Sequence, residues 1–261
     1  MAMVWVLLSD SIFNNIYFLY QDILKQSLIV RSKKVKSDLI ELKNDFVSII
    51  TSPFKWDIYR INYFLVLLAV LTIAFFVDDF VRDYIISIHN RFYDVIFAYA
   101  HWYGKPMLTI CTFFLFYICG LLISKDNLRV IGLKIFESFI FSGIIVTITK
   151  SVVGRWRPYT DHGTWSFVPL TTGPNGHLSF PSGDVAVAFA FSVIIAGIFK
   201  NKFWKIFWYL IAVITSIGRI YHDQHWLSDV IAAAAISIYI GIYINKIHQS
   251  KNYPVHEKGK L

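Results

Sequence analysis

The sequence predicts an all-α fold, a six-span transmembrane helical bundle with an N-terminal interfacial segment. Three observations carry that expectation. Long uncharged runs recur along the chain, and a helix needs about 20 apolar residues to cross a bilayer core. The mean hydropathy is +0.54, with 56% apolar, 18% aromatic and 16% charged residues. Lys and Arg gather in alternate connections, the pattern that orients multi-span proteins. The net charge of +8 therefore needs no nucleic-acid partner.

Residues 1–58 differ from the rest. Met1–Leu8 is apolar but too short to span, and Ser9 and Asp10 interrupt it. It lacks the basic start of a secretory signal. From Lys33 to Ile50, the apolar Val35, Leu39, Leu42, Phe46 and Ile49 recur at spacings of four and three. Lys33, Lys34, Lys36, Glu41 and Lys43 fill much of the other face. That periodicity predicts an amphipathic helix, on the membrane surface or packed on protein, stopped by Pro53.

Six spans follow, near 61–77, 106–123, 130–149, 182–199, 203–220 and 226–244. They define a domain over 59–247 and a cytoplasmic tail over 248–261. Residues 78–105 mix Asp78, Asp79, Arg82, Asp83, Arg91 and Asp94 with apolar side chains, which predicts one or two short interfacial helices. Trp102, Tyr103, Trp204, Trp208 and Trp226 stand near span ends, as aromatic anchors do. Cys111 and Cys119 share one apolar run. A helix sets such a pair roughly 12 Å apart, too far for a disulfide.

Eighteen Lys and Arg residues fall on the side of both termini and seven on the other. The richer side is expected to be cytoplasmic. The poorer side then faces the periplasm or exterior of a cell (inner) membrane.

Three segments on that outer side carry chemistry. The first is Gly218-Arg-Ile-Tyr-His-Asp-Gln-His225-Trp-Leu-Ser-Asp229. His225 and Asp229 are one helical turn apart. A carboxylate there holds one ring nitrogen and leaves the other aimed outward. Arg219 adds a forked, permanent cation that suits phosphate. The second segment runs from Lys150 to Arg157 and Pro158. A lysine so close to an apolar run faces a polar pocket or snorkels to the headgroups. The third is Pro181-Ser182-Gly183-Asp184, opening the fourth span. A helix start presents backbone N–H groups to an anion, or Ser182 or Asp184 serves as a plain cap. Together these residues suit phosphoryl transfer, which asks for positioning and charge neutralisation.

The strings KSVVGRWRP, PSGD and GRIYHDQHWLSD resemble, in order and spacing, the three motifs of the type 2 phosphatidic acid phosphatase superfamily. The resemblance covers roughly residues 60–245 and implies a six-span helical bundle. It implies hydrolysis of lipid phosphates or diphosphates through a phosphohistidine, with no metal or other cofactor. His225 would be the nucleophile and Asp229 its orienting acid. Lys150, Arg157, Ser182, Gly183 and Arg219 would hold the phosphate. The partners implied are a lipid phosphate or diphosphate and the bilayer. Vanadium haloperoxidases share the motifs, but those enzymes are soluble and this chain has spans.

Two positions depart from the motifs. Gly218 replaces a serine. Asp184 replaces the histidine that in the family protonates the leaving group. An enzyme without that acid is expected to prefer diphosphates, whose leaving group is already a good one, unless Asp184, His177 or His222 supplies the proton. The competing expectation is a non-catalytic relative that binds lipid phosphate.

Overall fold

The computed structural model describes residues 2–173 and 175–252. The chain divides into two compact units, Met1–Asp45 and Phe46–Leu261. The first is helical throughout its described residues. Helix α1 runs unbroken from Ala2 to Thr51, so Ser9 and Asp10 do not interrupt it. A short 3-10 turn with Pro53 near its start follows at once, because proline cannot continue an α-helix.

The second unit is a bundle. Its helices are α2 (Ile58–Ser87), α3 (Arg91–Tyr103), α4 (Pro106–Leu122), α5 (Asp126–Val153), α6 (Gly183–Ile198), α7 (Lys202–Tyr221) and α8 (Leu227–Asn252). Among the described residues there are no strands, only an isolated bridge between Arg155 and Phe167. Local signals set several helix starts. Asp57 accepts from the Arg60 amide, Asn90 from those of Phe92 and Tyr93, and Asn201 from that of Phe203.

This is a multi-pass membrane protein. Helices α2, α5, α7 and α8 are each long and apolar enough to cross a bilayer. The pair α3 and α4, bent by 44° at its break, passes the same test as one broken span. The remaining predicted span is α6, an apolar helix of 16 residues. It packs against α5, α7 and α8. Val185, Ala188, Ala190 and Ile194 are among its fully buried side chains. Its neighbours, rather than lipid, cover it. Helix α2 is the opposite case, with only 11% of its apolar window buried. Lipid must cover the rest.

Two expectations need correction. Residues 78–87 are not part of a separate interfacial helix. They continue α2, and only 91–103 forms the short helix. The reason is charge pairing. Asp78 is buried against Arg155, and Arg82 is clamped on Asp223, so the charges do not end the span. Helix α8 also runs past its predicted end to Asn252, with His248 paired to Glu137 of α5 at 2.8 Å. The expected tail beyond Asn252 lies outside the described residues.

Candidate active site

The site is built where α5, α6, α7 and α8 reach the same end of the bundle. Helix α5 stops at Gly154, whose left-handed backbone (φ 59°) closes a bond to Lys150 O. A Cβ at Gly154 would lie 1.7 Å from the Val168 carbonyl oxygen, so no other residue fits. The reversal turns Arg155 inward.

Arg155 is fully buried and uses all five of its donors. Nη1 donates to Asp229 Oδ1 at 2.8 Å and to Ser228 Oγ at 2.6 Å. Nη2 donates to Asp78 Oδ2 at 2.8 Å and to the Thr164 carbonyl at 2.9 Å, which also accepts from Nε at 3.1 Å. The Phe75 ring lies 4.3 Å from the guanidinium carbon. Asp78 also accepts from the Ser228 amide at 2.9 Å. One buried cation thus locks α2 and the start of α8 to the loop after α5.

Asp229 is held from every side. Besides Arg155, it accepts from Ser179 Oγ at 2.5 Å and from the Trp226 amide at 3.0 Å. His225 Nδ1 lies 3.4 Å from Asp229 Oδ2 and 3.4 Å from Ser179 Oγ. These contacts occupy the Nδ1 side of the ring and leave Nε2 on the far side. Burial, opposed by Asp229, pushes the His225 imidazole down to about 3. At neutral pH its ring is therefore uncharged, with a nitrogen lone pair available.

The start of α6 contributes an orphan. Ser182 is the N-cap residue, but its hydroxyl makes no capping bond. Ser182 Oγ is buried and has no partner among the described residues. That excludes the plain-cap role for Ser182 and leaves a donor for an anion. Its amide donates to Asp229 O at 3.1 Å, tying this turn to α8. A Cβ on Gly183 would meet the Lys150 side chain at 3.8 Å, which sets that lysine beside the turn. Lys150 Nζ donates to the Leu178 and Ser179 carbonyls at 2.7 and 3.2 Å. Arg157 Nη1 donates to Gln224 at 2.9 Å. Arg219 lies 3.2 Å from Asp184, an ion pair without hydrogen-bond geometry at Nε.

The motif residues therefore converge. The histidines divide. His177 packs on Trp156 with ring centroids 4.0 Å apart, and its buried Nδ1 has no partner among the described residues. His222 lines a cavity of about 670 Å³ together with His101, Lys105, Arg219 and Gln224. Burial, then the Arg219 guanidinium, lowers its basicity. Sequence reasoning missed His101, Arg155, Asp78 and Ser179. A carboxylate near the end of an apolar span signals a buried partner, so Asp78 carried a readable hint. His101 carried none, since it lies outside every motif.

Residues 131–253 match the PAP2 superfamily. Curated relatives include the lipid A 1-phosphatase of Rhizobium johnstonii, 31% identical over 43% of this chain and 46% of the relative. The lipid A 4'-phosphatase of Porphyromonas gingivalis is 26% identical over 57% of this chain and 62% of the relative. The alignment to the Rhizobium protein spans about half that relative's length. Two crystal structures share the fold. LpxE of Aquifex aeolicus superposes with a TM-score of 0.51 at 22% identity, covering 65% of this chain and 95% of that one. The PAP2-type phosphatidylglycerolphosphate phosphatase of Bacillus subtilis gives 0.56 at 18% identity, covering 73% and 98%. The PAP2 match begins within α5, so Asp78 of α2 and His101 of α3 fall outside it.

Proposed function

We propose that this chain is a PAP2-type integral-membrane lipid phosphatase acting through a phosphohistidine at His225. One observation carries the reading. A neutral, buried imidazole, oriented by Asp229, lies within electrostatic reach of Lys150 and Arg157, with Arg219 acting on the same lysine and the unpartnered Ser182 hydroxyl on the turn bonded to Asp229. The lone pair of His225 Nε2 attacks phosphorus, and the bond to the lipid oxygen breaks. Ser182, the Gly183 amide and the three cations neutralise the phosphoryl oxygens as charge builds. Water then cleaves the P–N bond and regenerates the imidazole. The charge balance needs no metal, and activity is expected to survive a chelator.

The substrate class is a lipid phosphate or diphosphate. The named activities of the curated relatives make phosphorylated lipid A the first candidate. The 18-to-7 division of basic residues favours an active site on the periplasmic or exterior face of the cell (inner) membrane.

Phosphate release by purified protein in detergent and chelator tests this reading, across lipid A, phosphatidic acid, phosphatidylglycerol phosphate and polyprenyl diphosphate. Release from one or more, abolished in His225→Ala, is the expected result. Tight lipid-phosphate binding with no release from any would establish the non-catalytic alternative. Acid-labile phosphate trapped on a residue other than His225 would overturn the mechanism.

A further inference from the structure

Expelling an alcohol from a phosphate monoester needs a proton for the departing oxygen, and Asp184 is poorly suited to give one. Its carboxylate is already engaged, as the ion-pair partner of Arg219 at 3.2 Å. An imidazole stands beside it. His101 Nδ1 lies 3.5 Å from Asp184 Oδ2 and accepts from Arg219 Nη1 at 3.0 Å. The His101 ring also lines the cavity that reaches Arg219, so a leaving group from a phosphate on Arg219 has a path to it.

The way α3 is held explains how His101 gets there. A Cβ on Gly104, three residues on, would lie 2.9 Å from the Asp184 carbonyl oxygen. A bare glycine lets this corner close on the start of α6. Thr215 Oγ1 donates to the Ala100 carbonyl at 3.0 Å, and Tyr221 donates to Asp94 at 2.6 Å, fixing α3 along α7. A Cβ on Gly218 would meet the Phe97 side chain at 3.2 Å. The two positions where the chain departs from the family motifs, 184 and 218, thus both face α3. Removing a side chain at 218 admits Phe97. Shortening the one at 184 to a carboxylate leaves room for an imidazole and supplies its counter-charge.

We infer that His101 is the general acid for the leaving group, standing in from α3 for the histidine that α6 lacks. This rests on the phosphatase reading above. As the substrate phosphate engages Arg219, His101 Nδ1 is released from that donor and takes a proton from solvent, and the new Nδ1–H of the imidazolium turns to Asp184. His225 Nε2 attacks phosphorus. The electron pair of the breaking P–O bond stays on the lipid oxygen, which takes the proton from His101 Nε2. The neutral His101 then accepts a proton from the water that attacks the phosphohistidine, and the P–N electron pair returns to His225. Burial, then the Arg219 guanidinium, opposes protonation of His101, as do Lys105 and His222, with Asp184 as the counterweight. With an imidazole in this place, Asp184 no longer implies a preference for diphosphates.

The test compares leaving groups in the first chemical step. Full-length protein in detergent is mixed rapidly with phosphatidic acid or with 4-nitrophenyl phosphate, whose nitrophenolate leaves without a proton. In His101→Gln, phosphoryl transfer from phosphatidic acid should fall by roughly 100-fold or more. The nitrophenolate burst should stay within about threefold of wild type and be followed by accumulation of phosphohistidine, because the second step has lost its base. Added imidazole should restore phosphatidic acid turnover to His101→Ala. Equal losses on both substrates together with no rescue by imidazole would overturn the inference. A wild-type protein that releases phosphate from neither substrate nor any lipid of the panel would overturn the phosphatase reading, and this one with it.

Discussion

Arg155 shows how much a single side chain can carry at the residue scale. Among the described residues it is the only group bonded to both Asp78 and Asp229, and all three are buried. Removing one partner of a buried ion pair costs about 3–5 kcal/mol, because the stranded charge has no water. Arg155→Met strands two carboxylates. Its thermal unfolding midpoint in detergent should fall well below that of Arg157→Met, whose parent side chain is half-buried and bonds the neutral Gln224. Similar midpoints would mean that the cluster does not hold the fold. His225 makes a pH prediction. Its folded proton affinity is depressed from 6.5 to about 3 by burial, so below pH 6.5 the unfolded state binds the extra proton. The stability it contributes is present above pH 6.5 and is lost as pH falls towards 3. The slope is at most about 1.4 kcal/mol per pH unit. Wild type should therefore lose midpoint between pH 6.5 and 4.5 more steeply than His225→Asn.

At the scale of elements, the bend after α5 decides whether the cations reach the site. Gly154 holds a left-handed backbone against Val168. A side chain there meets a backbone oxygen at 1.7 Å in addition to the left-handed penalty of about 1–2 kcal/mol. Gly154→Ala should lose phosphatase activity by at least tenfold through displacement of Arg155 and Arg157. Activity near wild type would show that the loop after α5 can be rebuilt without loss. Gly163, also left-handed (φ 84°), has nothing within 4 Å of a Cβ and serves as the matched control. Its alanine variant carries the backbone penalty alone and should keep most of the activity.

For the whole molecule, orientation is the open quantity. The motif residues of the site lie at, or in the loops beside, the ends of α5, α6, α7 and α8 that the basic-residue count puts outside. A single cysteine at an exposed loop position such as Trp165, in a chain with Cys111 and Cys119 replaced, should react with a membrane-impermeant thiol reagent in intact cells. Any outer membrane is permeabilised first. Labelling only after lysis would reverse the topology and move the reaction to the cytoplasm.

The sequence by itself determined the class of fold, the positions of the apolar helices and the convergence of three motifs, because each is encoded locally. Hydropathy fixes where a chain can meet lipid, and the short spacing of His225 and Asp229 keeps the two together at 3.4 Å, although His225 precedes α8 rather than sharing a helical turn with Asp229. What depends on distant parts of the chain was decided only in three dimensions. Asp78 read as the charged end of a span, yet it extends α2, because Arg155 from 77 residues away neutralises it. Asp184 read as a lost acid, yet an imidazole from α3 rests against it. No pattern in the sequence pairs residues 101 and 184. Their meeting follows from two glycines, 104 and 218, whose missing side chains matter only once α3 has packed between the start of α6 and the end of α7.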